Sequence, residues 1–322
     1  MNSKLTLLIS SLSAALAASP CAIAQPYPSK PIRFIVQYPP GGGTDLFARL
    51  LAAALSESLG QQVLVDNRAG AQGSIGLSLA AKSPPDGYTI ALSEAGSMTM
   101  NPWLYSNAGF DPVKDFSHIS LGVTYPNVLV INPGVPVKNL KELAALAKSK
   151  PGAMTYASAS ALSQLTGALF QIVAHVKMLE VPYKGAGPAA IDVAGGQVDM
   201  TFVTSASAIP MINAGKTRAI VVTGPARISA LPNVLTSKES GFPDFVVLGW
   251  FGVAAPANTP KEIIAKLNRE IVNALKTPTV ISRLEGAGLE AKSSSPEEMT
   301  EIVKSDYARW GKVVKTVGIK VQ

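Results

Sequence analysis

The stretch Tyr38-Pro39-Pro40-Gly41-Gly42-Gly43-Thr44-Asp45 follows an apolar, β-branched segment, Ile32–Val36, and precedes a segment with helical apolar spacing. The first segment predicts a buried strand, and the second predicts a helix that begins at Thr44 or Asp45 and ends at Gly60. A glycine-rich turn between a strand and a helix lets backbone N–H groups approach a ligand, and the helix N-terminus carries positive partial charge. The stretch therefore predicts either an anion-binding loop, most simply for a carboxylate, or a tight turn whose glycines serve geometry alone.

Strand-like and helix-like segments alternate along the rest of the chain. Apolar, β-branched runs predict strands at Val63–Val65, Tyr88–Leu92, Val128–Ile131, Met154–Ala157, Leu179–Val181, Val198–Val203 and Arg218–Thr223. This alternation predicts an α/β fold with a largely parallel sheet and helices on both faces. A chain of 322 residues divides into two such lobes, and no low-complexity linker separates them, so the chain can cross between the lobes more than once.

The composition limits the kind of protein. Hydrophobic residues make up 47% and charged residues 15%, which is enough apolar material for a large core and excludes general disorder. One cysteine and two histidines exclude a disulfide scaffold and a Cys/His zinc site, and we expect no metal and no cofactor. The net charge is +7, but the basic residues are spread over helices and not interleaved with aromatic side chains, so nucleic-acid binding is not expected.

Residues 1–24 have the features of a secretory signal peptide. A basic start at Lys4 precedes an apolar run, and the small residues Ala22-Ile23-Ala24 mark a cleavage site before Gln25. The apolar run is too short and too rich in serine for a transmembrane anchor, and Ser19-Pro20 disfavours lipidation at Cys21. We therefore expect cleavage after Ala24 and a periplasmic protein that is not a lipoprotein.

Three further loops follow predicted strands and offer polar groups to a ligand. Pro182–Pro188 contains Lys184 and opens a helix, while Ser93–Thr99 and Ser158–Gln164 carry hydroxyl, carboxyl or amide groups. Open α/β sheets bind ligands at the carboxyl ends of strands, which is where these loops lie. Each loop also has a simpler interpretation, since a solvated lysine on a surface turn or ordinary helix capping gives the same pattern.

The sequence contains little that a hydrolytic enzyme needs. His118 and His175 are the only histidines, and His175 follows a helical run as a helix-end residue does. No G-x-S-x-G motif occurs, because Gly73-Ser74-Ile75-Gly76 is one residue short and is not carried by a strand. We therefore expect no catalytic residues.

An ordered series of short motifs resembles the Bug-type solute receptors of tripartite tricarboxylate transporters, which include the TctC-like proteins. The series covers essentially the whole chain after residue 24, and its order is far more specific than any one motif. It comprises Tyr27–Arg33, Pro39–Asp45, Val65–Ala71, Pro84–Thr89, Asn101–Tyr105, Asp111–Phe116, Val181–Gly185, Gly195–Asp199, Trp250–Val253 and Ala255–Pro260.

The resemblance implies a two-lobed periplasmic binding protein of the type II-like class, with two mixed or mostly parallel sheets flanked by helices and a ligand cleft between the lobes. Residues 25–125 and 246–322 would form lobe 1, and residues 126–245 would form lobe 2. The loops at Gly41–Asp45 and Lys184–Ala189 would hold a carboxylate through backbone amides and water. The predicted ligand-binding residues are Tyr38, Gly41, Gly42, Gly43, Thr44, Asp45, Ser93, Glu94, Ser97, Ser158, Ser160, Ser163, Gln164, Lys184, Gly185, Ala186, Gly187 and Thr204.

Two segments depart from the family pattern. The loop Ser158–Gln164 is about two residues shorter than usual and lacks a histidine that the family carries there. Glu94 is an acid where small polar residues are more usual, and it would face an ammonium group, a hydroxyl group or solvent. These departures leave the ligand open among dicarboxylates, tricarboxylates, amino acids and aromatic acids.

We therefore expect a monomeric binding protein that captures a small organic acid and delivers it to the membrane subunits of a tripartite tricarboxylate-type transporter. Two alternatives remain at this point. A receptor of the same fold could report its ligand to a signalling partner, and an exported hydrolase could use the same cleft.

Overall fold

The structure is a computed structural model that describes residues 27–317, so the predicted signal peptide, residues 1–24, lies outside the described residues. Within this range the strands are β1 (Ile32–Val36), β2 (Val63–Asn67), β3 (Thr89–Glu94), β4 (Phe116–Ile131), β5 (Thr155–Ser158), β6 (Leu179–Pro182), β7 (Met200–Thr204), β8 (Arg218–Val222), β9 (Leu248–Pro256) and β10 (Glu290–Ala291). The helices are α1 (Gly43–Leu59), α2 (Ser74–Ala81), α3 (Asn101–Leu104), α4 (Leu140–Ser149), α5 (Ala161–Ala174), α6 (Ala186–Ala194), α7 (Ser205–Asn213), α8 (Lys261–Ala274), α9 (Pro278–Gly286) and α10 (Pro296–Val317).

The 16-residue strand β4 joins two regions of sheet. Its segment Phe116–Pro126 pairs antiparallel with β9 and forms sheet A together with β1, β2, β3 and β10. Its segment Asn127–Ile131 lies between β7 and β8 and forms sheet B together with β5 and β6. The strand order is therefore β2-β1-β3-β9-β4-β7-β5-β6, with β10 and β8 paired to β4 outside this path.

Parallel and antiparallel pairs have separate places in this order. In sheet A, β1 is parallel to β2 and β3, and in sheet B, β5 is parallel to β6 and β7. A helical connection links most of these parallel strands, as such crossovers require. The antiparallel pairs all involve β4, which belongs to both sheets, or β9, which belongs to sheet A.

Helix α1 shows how the sequence pattern becomes a packed element. Phe47, Leu51 and Leu55 recur every four residues, and each side chain is at most 1% exposed in the core. Burying side chains of this size contributes about 1.5–3 kcal/mol each. The helix ends where Gly60 adopts the left-handed conformation, with φ of 65°, which glycine accepts without a steric penalty.

The α/β architecture with mixed sheets predicted from the sequence is confirmed, and most predicted elements lie within a few residues of their observed bounds. The long strand β4 is the main difference, because only Val128–Ile131 was predicted. Its earlier part, Phe116–Asn127, contains serine, glycine, proline and asparagine, and pairing with β9 outweighs these weak local preferences. Helix α9 and a π-helical turn at Gly96–Met100 were also not predicted.

None of the helices found in residues 27–317 is both long enough and apolar enough to cross a membrane.

Candidate functional site

Four helices begin at one cavity, where sheet A and sheet B meet. The cavity contains about 470 Å³ of empty space, part of which opens to solvent. The first residues or N-cap residues of α1, α5, α6 and α7 line it, represented by Gly43, Ser160, Ala186 and Thr204. Each helix follows a strand, so all four N-termini lie at carboxyl ends of strands, as ligand sites of α/β sheets do.

The four N-termini differ in how their first N–H groups are satisfied. Helices α5 and α7 have side-chain caps, since the Oγ of Ser160 accepts from Ser163 N at 3.2 Å and the Oγ1 of Thr204 accepts from Ser207 N at 3.3 Å. Helices α1 and α6 begin after Gly42 and Gly185, which have no side chain to cap them. In α1 the first helical bond runs from Leu46 N to the carbonyl of Gly42, so the N–H groups before Leu46 point out of the helix end.

The loop before α1 packs directly against the start of α7. The N–H of Gly43 donates to the Oγ of Ser207 at 3.1 Å. A Cβ on Gly43 would lie only 2.5 Å from the Oγ1 of Thr204, so glycine is required for this approach. Pro39, in the same loop, approaches Gly185. A Cβ on Gly185 would lie 2.9 Å from the Cδ of Pro39. The loop before α1 is therefore in direct contact with the starts of α6 and α7.

Glu94 contributes a buried carboxylate to the cavity wall. It ends β3, and its side chain is 2% exposed. Its Oε2 accepts from the Tyr38 hydroxyl at 3.2 Å and from Ser97 N at 2.7 Å, while its Oε1 accepts from the Tyr125 hydroxyl at 3.3 Å. Burial, together with the adjacent Glu94 carboxylate, raises the pKa of both phenols well above the ordinary value for tyrosine, so both remain donors at neutral pH.

The Asp45 carboxylate supports the loop from behind and is not among the residues that line the cavity. Its oxygens accept from Arg49 Nε at 2.9 Å, Gly41 N at 3.2 Å and Asn67 Nδ2 at 3.1 Å. Burial alone would raise the pKa of Asp45, but these hydrogen bonds and the Arg49 charge outweigh burial and hold that pKa below its ordinary value. The ionised Asp45 side chain therefore binds Arg49, Gly41 and Asn67 of the protein itself.

The structure brings half of the predicted ligand-binding residues together in the cavity wall. Those that line it are Tyr38, Gly42, Gly43, Thr44, Glu94, Ser160, Ser163, Ala186 and Thr204. Those placed outside the wall are Gly41, Asp45, Ser93, Ser97, Ser158, Gln164, Lys184, Gly185 and Gly187.

The residues outside the wall have identifiable positions. Ser158 and Gln164 donate to Glu180, at 2.6 and 3.2 Å, in a separate polar cluster on the side of β6. Ser97 holds Glu94 through its backbone N–H and accepts from Gln37 Nε2 at 2.8 Å. Ser93 is fully buried, and the side chain of Lys184 is exposed to solvent.

Sequence reasoning did not identify several residues of the cavity wall. Tyr125 and Asn127 come from the middle of β4, and Phe251 comes from β9, where it packs on the Tyr125 ring at 4.5 Å. No local motif marks these strands as part of a site. The others lie within predicted elements or beside them but were not named as ligand-binding residues: Pro39, Ala159 and Leu162 in the candidate loops, Phe202 and Val203 at the end of a predicted strand, and Ser207 shortly after it.

Neither histidine takes part in the cavity. His118 is buried in β4, where its Nε2 lies 2.9 Å from the carbonyl oxygen of Pro112, and desolvation lowers its pKa to about 4. His175 caps the C-terminus of α5 in the left-handed conformation, as expected for a helix-end residue. No cluster of three or more potential metal-binding side chains occurs within residues 27–317.

Comparison with known proteins identifies the family. Residues 47–319 match the family described as "Tripartite tricarboxylate transporter family receptor". The chain is 38% identical over 291 residues to the UPF0065 protein in the tcbD-tcbE intergenic region of Pseudomonas sp. strain P51, covering 89% of this chain and 86% of that protein. It is 36% identical over 302 residues to protein BugT of Bordetella pertussis, covering 93% of each chain.

Solved structures give the same result for the fold. A structure described as a periplasmic transporter aligns with a TM-score of 0.89 at 38% identity, over 92% of this chain and all of that one. Rpa4515 of R. palustris with adipate aligns at 0.88 and 34% identity, over 91% and 98% of the two chains. MatC of Rhodopseudomonas palustris with bound malate aligns at 0.85 and 31% identity, over 89% and 100%. The resemblance inferred from the motifs is confirmed: the chain belongs to the tripartite tricarboxylate transporter receptor family and is a Bug-type periplasmic solute-binding receptor.

Proposed function

We propose that this receptor holds a small carboxylate ligand in the cavity between two lobes and delivers it to the membrane subunits of a tripartite tricarboxylate-type transporter. The observation that carries the proposal is the convergence of the N-termini of α1, α5, α6 and α7 on one cavity. Each N-terminus supplies N–H groups and positive partial charge, so together they can hold a carboxylate without a lysine or arginine.

In this proposal, residues 25–125 and 246–322 form lobe 1, and residues 126–245 form lobe 2. The strand pairing supports this division, because β4 exchanges β9 for β7 and β8 as partners between Pro126 and Asn127. The chain returns to sheet A immediately before β9, which begins at Leu248. The middle of β4 and the segment that leads into β9 would thus form the hinge, and opening about them would separate Gly43 from Ser207.

Two related structures support a carboxylate as the ligand class. Adipate is named with Rpa4515, and malate is named as bound to MatC. In the present cavity we assign one carboxylate to the first turn of α1, around Thr44, and to Ser160, Ala186 and Thr204 on the opposite side. We infer the transporter partner and the monomeric state from the family. We infer removal of residues 1–24 during export from the sequence of that segment.

The direct test is a thermal-shift and calorimetry screen of the chain from Gln25 onward, freed of bound solute by unfolding, dialysis and refolding. Its ligands are mono-, di- and tricarboxylates, amino acids and aromatic acids, each paired with its amide. We expect at least one acid to raise the unfolding temperature while its amide does not, because binding to the native state at 100 times Kd stabilises it by about 2.7 kcal/mol. Equal shifts with acid and amide, or none with any acid, would contradict the proposal.

A further inference from the structure

Glu94 is the one acidic or basic residue among those that line the cavity within the described chain. The remaining wall consists of tyrosine, asparagine, serine, threonine, glycine, proline and apolar side chains. A site built only for anions would gain nothing from a carboxylate in its wall, because like charges at short range repel strongly where water is excluded.

The Glu94 side chain contacts no cationic group within the described residues. Its three hydrogen-bond donors, the hydroxyls of Tyr38 and Tyr125 and the N–H of Ser97, are all neutral. No ion pair formed within residues 27–317 includes Glu94. The Glu94 carboxyl group is therefore buried, at 2% exposure, in a wall that offers it no cation.

The position of Glu94 suits a ligand that also reaches the helix N-termini. The point where a Cβ on Gly96 would lie is 3.1 Å from the Oε1 of Glu94 and 2.7 Å from the backbone N of Leu162, in the first turn of α5. Glu94 and Leu162 both line the cavity, so the carboxylate and the first turn of α5 are neighbours in its wall. A single small molecule can place a negative group at helix N-termini and a positive group at Glu94.

We propose that Glu94 receives a protonated amine of the ligand, so that the preferred solute is an aminocarboxylate rather than an unsubstituted dicarboxylate. This inference rests on the proposed function, since it assigns the ligand's carboxylate to the helix N-termini. Bulk solvent has little access to Glu94, because the side chain is buried in the cavity wall. A second carboxylate placed beside Glu94 would be repelled, whereas an ammonium group would supply the missing countercharge.

The test compares ligands that share a carbon skeleton and differ only in whether they carry an amino group, a hydroxyl group or neither. Calorimetry on ligand-free protein uses the sets aspartate, malate and succinate; glutamate, 2-hydroxyglutarate and glutarate; and 4-aminobutyrate with butyrate. We expect the amine in at least one set to bind tenfold or more tighter than its amine-free partners. Equal or tighter binding of the hydroxyl or unsubstituted acid in every set that binds would overturn the inference and leave the proposed function intact. Absence of binding by every acid would contradict the proposed function itself.

The variant Glu94→Gln then assigns the effect to this side chain. It has nearly the same shape without the charge, and we expect it to weaken amine binding at least tenfold while unsubstituted dicarboxylates bind equally or more tightly. The control is Glu180→Gln, the same carboxylate-to-amide change in the polar cluster outside the cavity wall, which should preserve the preference for the amine. An unchanged preference in Glu94→Gln would overturn the inference. If this variant does not fold, the comparison of ligands on the wild-type protein decides the question alone.

Discussion

The backbone N–H of Gly43 donates a hydrogen bond of 3.1 Å to the Oγ of Ser207, 164 residues further along the chain. This bond joins the first turn of α1 to the first turn of α7 across the cavity. Because a hydrogen bond needs both atoms within about 3.5 Å, it exists only while the two sides are closed. If the two lobes open as proposed above, this pair of residues will separate.

Gly43→Ala should hinder closure. The new Cβ would lie 2.5 Å from the Oγ1 of Thr204 and 3.2 Å from the Cβ of Ala206, so the two helix starts would have to move apart. We expect ligand affinity to fall at least tenfold, measured by calorimetry, with a larger radius of gyration of the ligand-saturated protein in small-angle X-ray scattering.

The matched control is Gly42→Ala in the same loop. Its Cβ would come no closer than 3.9 Å to the Oγ of Ser207, which is ordinary van der Waals contact. We expect its affinity to stay within threefold of the wild type. Equal losses of affinity in the two variants would show that the loop tolerates no side chain at either position. The effect of Gly43→Ala could then not be attributed to closure.

Ser160→Ala should reduce both stability and affinity. Ser160 caps α5 by accepting from Ser163 N, and loss of such a cap costs about 1 kcal/mol. Because the same N-terminus lines the cavity, we also expect weaker binding of the carboxylate ligand. Urea unfolding and calorimetry measure the two effects separately.

Asn139→Ala separates capping from ligand binding. Asn139 caps α4 by accepting from Glu142 N at 2.9 Å and does not line the cavity. It should lose a similar free energy of unfolding, about 1 kcal/mol, with unchanged affinity. A parallel loss of affinity in Asn139→Ala would mean that general destabilisation explains the result for Ser160→Ala.

Asp45→Asn should destabilise the protein in a pH-dependent way. The pKa of Asp45 is lower in the folded protein than in the unfolded chain, so its contribution to stability is full above the unfolded value, about 3.9, and is lost as pH falls through the folded value. We expect the variant to be about 1–2 kcal/mol less stable at pH 7, with the difference shrinking towards pH 3 and below. Urea unfolding at several pH values measures it.

Glu57→Gln serves as the reference for Asp45. Glu57 lies on the same helix and is exposed, so its removal should change the unfolding free energy by less than about 0.5 kcal/mol. A pH-independent difference between the wild type and Asp45→Asn would show that the hydrogen bonds of Asp45 do not favour its ionised form in the way described.

Lys184→Gln tests a residue that the sequence placed in the binding loop. Its side chain is exposed and lies outside the cavity wall, so we expect less than a twofold change in Kd. The neighbouring variant Gly185→Ala should weaken binding clearly, because its Cβ would lie 2.9 Å from the Cδ of Pro39 on the other side of the cleft. A tenfold loss in Lys184→Gln would assign the lysine a direct role in holding the anion.

Much of the site could be predicted where its chemistry is local. The glycine-rich segment before α1 and the cap at Ser160 depend on residues within a few positions, and both are at the cavity. Tyr125 and Phe251 could not be found in this way. They reach the cavity because β4 and β9 pair over nine residue pairs, a contact between segments more than 100 residues apart.

The amino-acid sequence by itself determined the alternation of strands and helices, the glycine-rich start of α1 and the family. Periodicity, capping and turn chemistry act over a few residues, and the ordered motifs persist along the chain. Only the tertiary structure decided that Glu94 is buried in the cavity wall and that the Asp45 side chain accepts a hydrogen bond from Asn67, 22 residues further along the chain. Burial and charge environment depend on which distant elements pack against a residue, and no local pattern contains that information.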